Sequence, residues 1–211
     1  MDFQSLIAIV DLAGVAVFAA TGSLVASRKQ LDLIGFALMA TLTGVGGGTL
    51  RDLLLSRPVF WTIDQSYLIV CFSVALFTFF FAHRLQKRYS VLIWADAIGL
   101  ATFGVMGAHI ASESGAQPLL AVVLGVMTAT FGGLIRDVVA GETPLLLRPE
   151  VYVTAALVAA ASYVLLLNIE VGLPIAVGVS IALGFVVRGG GILWGWVLPR
   201  YKNRAGRDYS E

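Results

Sequence analysis

The sequence predicts an all-α membrane protein of seven transmembrane helices, six forming two inverted three-helix repeats and the seventh appended to them. Three observations carry this. Of 211 residues, 58% are hydrophobic and 13% charged, where soluble domains carry about 25% charged residues. The apolar residues gather in runs of about 20, the length that crosses a bilayer as a helix. The polar markers of the first runs also return later in the chain at a fixed separation.

Backbone polar groups find no partners in lipid, so each run must satisfy its own as a helix. The runs read as 5–26, 32–55, 67–83, 90–111, 117–140, 149–168 and 172–198. The first is a retained helix and not a signal peptide, because its positive charges, Arg28 and Lys29, follow the apolar stretch. The seventh carries Arg188 and Gly189-Gly190-Gly191, so it is one long helix or a shorter one ending near Val187. In the second case Trp194 and Trp196 belong to an interfacial segment at headgroup depth. Together these make a single transmembrane domain over 1–211: repeat 1 about 5–83, repeat 2 about 90–168, the seventh helix, and a basic tail 199–211.

Orientation follows from lysine and arginine, which accumulate on the cytoplasmic side. Arg28 and Lys29, then Arg84, Lys87 and Arg88, then Arg200, Lys202, Arg204 and Arg207 fall on one side of a seven-span chain. The opposite connections hold Arg57 with Asp64, Glu113 and Glu170. The loop with Glu142, Arg148 and Glu150 carries no positive excess. The expectation is a multi-pass protein of the cell (inner) membrane, N-terminus outside and C-terminus cytoplasmic, its basic tail a topology anchor more than a specific contact with anionic membrane lipids.

Several function classes drop out. The apolar composition argues against a soluble enzyme, and a net charge of +1 against a basic nucleic-acid binder. Cys71 is the single cysteine, and His83 and His109 lack metal-ligand spacing, so no metal or cofactor is expected. No P-loop signals ATP-driven transport.

The repeat aligns without gaps. Asp11 matches Asp96, Gly14 matches Gly99, Phe18 matches Phe103, Gly22 matches Gly107, and Arg51-Asp52 matches Arg136-Asp137, each 85 positions apart. GGGTLRD at 46–52 stands against FGGLIRD at 131–137, and Tyr67 against Tyr152. Three spans per copy is an odd number, so the second copy enters the membrane from the opposite face.

The chemistry concentrates in the second helix of each copy. Gly46, Gly47, Gly48, Gly132 and Gly133 sit well inside their spans. Glycine weakens a helix by about 1 kcal/mol relative to alanine, so a helix break lining a pathway is expected, with close helix packing as the rival. Arg51, Asp52, Arg136 and Asp137 follow one turn later, with Asp11 and Asp96 as supporting intramembrane acids. Neighbours on a helix point about 100° apart, so each arginine is expected to seek partners other than its adjacent aspartate. Intramembrane charges are expensive and mark function or structural locking. Helix ends at a break would favour an anion from one side and a cation from the other, so ion sign stays open.

Paired GG-x-x-R-D segments in a seven-helix chain of this length, with an aspartate leading the first helix of each half, resemble the prokaryotic trimeric intracellular cation (TRIC) channel family, also named the glycine transporter domain family. The resemblance covers about residues 5–168. It implies a homotrimer with one pore per subunit, lined by glycine-kinked second and fifth helices, passing potassium or sodium. The Lys-Glu-Val element of animal members is missing, so their lipid and calcium-store roles are not carried over. A secondary transporter of a small zwitterion such as glycine is the alternative, and a non-transporting scaffold a third.

Overall fold

The computed structural model describes residues 3–84 and 88–199. The expectations for Lys87 and for the tail from Arg200 fall outside the described residues. Eight helices follow one another: α1 Phe3–Arg28, α2 Leu33–Leu54, α3 Phe60–Ile63, α4 Ser66–Phe81, α5 Arg88–Glu113, α6 Pro118–Val139, α7 Tyr152–Asn168 and α8 Leu173–Trp194. No strand occurs among the described residues. Among the described residues, six helices are long and apolar enough to cross a membrane, while α7, at 17 residues, is shorter but apolar. Their bounds lie within a few residues of the runs read from sequence, and the four-residue α3 was not foreseen.

Chain signals start and stop these helices. The Asp32 side chain caps α2, accepting from the Gly35 backbone N–H at 2.7 Å. Pro118 opens α6, where its missing N–H has no partner to lose. Asp64 accepts from the Ser66 backbone N–H at 2.9 Å as α4 begins, which holds its carboxyl below the usual range. Left-handed residues turn the chain after α1 and α5 at Gln30 and Gly115, and after α2 and α6 at Ser56 and Gly141.

The helices pack as two groups of three. α1, α2 and α4 form one, and α5, α6 and α7 the other; α1 meets α5, α2 meets α6, and α8 lies against α5 and α7. Small residues permit the tight second group: Ala155, Ala156, Ala159 and Ala160 are all fully buried. Outward faces are apolar, as lipid requires, with Phe72, Phe77 and Phe80 of α4 more than half exposed. Cys71 is fully buried in the first group.

α8 runs unbroken through Arg188 and its glycines to Trp194, which removes the shorter version. Arg188 is fully buried, pairs with Glu150 at 2.7 Å and lies over the Tyr152 ring at 5.1 Å. The charge that reads as an interruption is neutralised by a partner on another segment.

Candidate functional site

α2 and α6 cross antiparallel at their glycines. A Cβ on Gly47 would stand 2.0 Å from the Thr128 carbonyl oxygen, and one on Gly132 would stand 2.4 Å from the Thr43 carbonyl oxygen. Only glycine lets two helix backbones touch like this. Gly46, half-buried, faces the Ile135 side chain, and Gly48 faces the Phe60 ring.

Both helices are continuous through these positions. The expected helix breaks at Gly46-Gly47-Gly48 and Gly132-Gly133 are therefore corrected. The propensity penalty of glycine is small beside the packing that a missing side chain permits. Threonines accompany the glycines, and the hydroxyls of Thr43 and Thr128 donate to the carbonyls of Met39 and Leu124 on their own helices, at 2.7 and 2.6 Å.

About six residues beyond the crossing, each helix reaches a buried ionic cluster. In the first, Arg51 Nε donates to Asp52 Oδ1 at 2.9 Å, and the same guanidinium lies over the Phe60 ring at 5.7 Å. Asp52 Oδ2 accepts from the Phe60 backbone N–H at 2.9 Å, and Tyr67 donates to Asp11 Oδ2 at 2.7 Å. In the second, Arg136 Nε donates to Asp137 Oδ1 at 2.8 Å, while its Nη1 donates to Asp96 Oδ1 at 2.7 Å and to the Thr21 hydroxyl at 2.9 Å. Asp137 Oδ2 accepts from the Leu145 backbone N–H at 2.9 Å. Because the helices are antiparallel, the clusters lie on opposite sides of the crossing, about 18 Å apart at 1.5 Å per helical residue.

Both arginines thus bind their own neighbouring aspartates, contrary to the angular argument from sequence, while Arg136 also takes a partner beyond its neighbour, Asp96, as that argument expected. A long arginine side chain folds back across the angle that separates short ones. Of the expected site residues, Asp96, Arg136 and Asp137 come together directly and Arg51 joins Asp52. Asp11 is held by Tyr67, within electrostatic reach of Arg51 and Asp52.

Sequence reasoning missed the backbone groups at Phe60 and Leu145 that fix the two aspartates, eight residues downstream of each. The constant separation of 85 positions pairs these residues too, and could have found them. It also missed Thr21, the Trp61 Nε1 bond to Thr49 at 2.8 Å, and the His109 to Tyr163 hydrogen bond at 2.7 Å.

Comparison with known proteins follows the same division of the chain. A family model described as Glycine transporter matches residues 8–83 and again 93–168. The UPF0126 inner membrane protein YadS of Escherichia coli strain K12 is 36% identical over 198 residues, 90% of this chain and 94% of that one. Among solved structures, the TRIC trimeric intracellular cation channel orthologue from Rhodobacter sphaeroides superposes with a TM-score of 0.89 at 48% identity, over 92% of this chain and 100% of that one. A TRIC cation channel studied for its conductance gives a TM-score of 0.82 at 33% identity, over 98% and 100% of the two chains.

Proposed function

The chain belongs to the glycine transporter family, whose solved relatives are TRIC channels, and we propose that it is a passive channel for monovalent cations, potassium and sodium. In this reading it is a homotrimer of the inner membrane with one pore per subunit. Each subunit is a single domain of seven spans, α7 included, in two inverted repeats plus α8, with the N-terminus outside. The pathway follows α2 and α6, past Gly46, Gly47, Gly48, Arg51 and Asp52 on one side and Gly132, Gly133, Arg136 and Asp137 on the other, with Asp11 and Asp96 in support.

The observation that supports this best is the charge balance of the buried clusters. Each sets two carboxylates against one guanidinium: Asp11 and Asp52 with Arg51, Asp96 and Asp137 with Arg136. Excess negative charge in a low-dielectric interior attracts cations and repels anions. Between the clusters, Gly47 and Gly132 press against backbone carbonyls. Passage therefore needs α2 and α6 to part, which makes the crossing the gate.

A carrier of a small zwitterion is the second reading, favoured by the description of the matching family. It would seat a carboxylate on a free helix N-terminus or a free guanidinium. Here α2 and α6 are unbroken, and Arg51 and Arg136 are engaged by carboxylates of the chain. Purified protein in planar bilayers, beside radiolabelled glycine uptake into proteoliposomes, separates the two. Unit conductance steps carried by potassium support the channel; saturable glycine uptake without steps replaces it by the carrier.

A further inference from the structure

We propose that Gly133 forms one wall of a buried site for a single water molecule, held by Arg136, Asp96 and Tyr152. The three side chains come from α6, α5 and α7 and are all at most 1% exposed. Each carries an atom without a hydrogen-bond partner: Arg136 Nη2, Asp96 Oδ2 and the Tyr152 hydroxyl. Buried polar atoms in proteins are almost always satisfied, so three orphans on side chains of three packed helices point to a shared ligand.

Gly133 gives that ligand its room. The point a Cβ would occupy there is 3.0 Å from the Tyr152 hydroxyl oxygen, 3.5 Å from Arg136 Nη2 and 3.5 Å from Asp96 Oδ1. A methyl group there would crowd the tyrosine hydroxyl, so with glycine these polar groups face bare backbone in place of a side chain. Gly47 and Gly132 differ, because their Cβ positions collide with backbone carbonyls. They serve the helix crossing, whereas Gly133 faces polar side chains.

The chemistry of the three partners selects the ligand. Arg136 Nη2 only donates, Asp96 Oδ2 only accepts, and the tyrosine hydroxyl does either. A bare cation would stand against the guanidinium, and an anion against the carboxylate. A small neutral molecule that both donates and accepts meets all three, and a buried water bound by two to four polar groups is that molecule.

The other half of the chain shows why the counterpart position holds no such site. Gly48, 85 positions before Gly133, faces the Phe60 ring, which a Cβ would approach to 2.6 Å. That ring fills the corresponding space, and Tyr67 donates straight to Asp11. In the second half Leu145 stands where Phe60 does in the first, and the Tyr152 hydroxyl has no hydrogen-bond partner. The first cluster is closed by an aromatic ring and the second by a solvent molecule. This goes beyond the channel reading and does not rest on it.

A crystal structure of the full chain that shows ordered solvent, in potassium and again in rubidium, tests the site. The expected map holds one solvent peak within hydrogen-bond distance of Arg136 Nη2, Asp96 Oδ2 and the Tyr152 hydroxyl, without rubidium anomalous signal. Gly133→Ala should lose the peak to its methyl group, and Leu145→Phe should lose it to the ring. No peak in the unaltered protein overturns the proposal, as does rubidium signal there, which would mean a cation site. A peak that survives in folded Gly133→Ala also overturns it. The unaltered protein decides even if both variants fail to fold.

Discussion

The rings of Phe18 and Phe103 meet where α1 joins α5, with centroids 5.1 Å apart and planes tilted by 50°. Each ring also covers a glycine of the opposite helix. A Cβ on Gly99 would approach the Phe18 ring to 2.3 Å, and one on Gly14 would approach Phe103 at 3.2 Å. Phe18 is 1% and Phe103 5% exposed, so the pair is a central contact between the two helix groups. The unequal distances set an order: Gly99→Ala should destabilise by about 1 to 3 kcal/mol through overpacking, and Gly14→Ala by less. Thermal unfolding in detergent reads it. Equal midpoints would contradict the reciprocal packing.

The glycines of the α2 and α6 crossing should respond to alanine by separating the helices, since both are already continuous. Gly47→Ala and Gly132→Ala drive methyl groups into carbonyl oxygens, whereas Gly46→Ala meets the flexible end of Ile135 at 3.0 Å and the Gly132 Cα at an ordinary 3.9 Å. The first two should lose yield and thermal stability, and surviving protein should show altered open probability in bilayers. Gly46→Ala should resemble the parent. Gating changed by Gly46→Ala alone would move the gate elsewhere.

The spans are legible because lipid makes one demand of every segment, and apolar length answers it. The ionic residues are legible because Asp11, Arg51 and Asp52 recur as Asp96, Arg136 and Asp137 at a constant interval. What each of them touches is not. The role of Gly47 depends on the Thr128 carbonyl, 81 positions away, and no local propensity carries that information. Arg188 reads as a break because its partner Glu150 lies on another segment. Arg51-Asp52 and Arg136-Asp137 defeat the angular rule because the rule describes where side chains start, while the length of arginine decides where they end.

Asp52→Asn and Asp137→Asn separate charge from shape at the two clusters. Asparagine keeps an oxygen to accept from Phe60 or Leu145 but leaves the arginine without its adjacent anion. Losing one partner of a buried pair costs about 3 to 5 kcal/mol, and Asp96 should soften the loss at Arg136. Asp52→Asn should therefore be the more damaging to stability. In folded variants the reversal potential across a potassium chloride gradient should shift toward lower cation preference. Unchanged selectivity in both would take the pathway away from these carboxylates.

Single cysteines at Lys29 and Ser114, in a Cys71→Ser background, test the orientation. Both positions are exposed, at the ends of α1 and α5. An impermeant thiol reagent should reach Lys29→Cys only from the cytoplasmic side and Ser114→Cys only from outside. Labelling of both from one side rules out the seven-span topology.

The last prediction concerns Arg188 and Glu150, which tie α8 to the segment before α7. Arg188 is fully buried, while the Glu150 side chain is 32% exposed, so the pair is desolvated at one end only. Glu150→Gln leaves a buried guanidinium without its carboxylate and should destabilise by about 3 kcal/mol or less, the partial exposure tempering the usual penalty. Arg188→Met replaces the guanidinium with an apolar side chain against the Tyr152 ring and removes the buried charge altogether. The double variant should then be more stable than Glu150→Gln alone, because its glutamine abandons no cation. Thermal midpoints of the two single variants and the double close a cycle, and a coupling energy within error of zero would mean that the 2.7 Å contact contributes nothing. Raised salt should weaken the pair only slightly, since the buried cation is out of reach of mobile counterions.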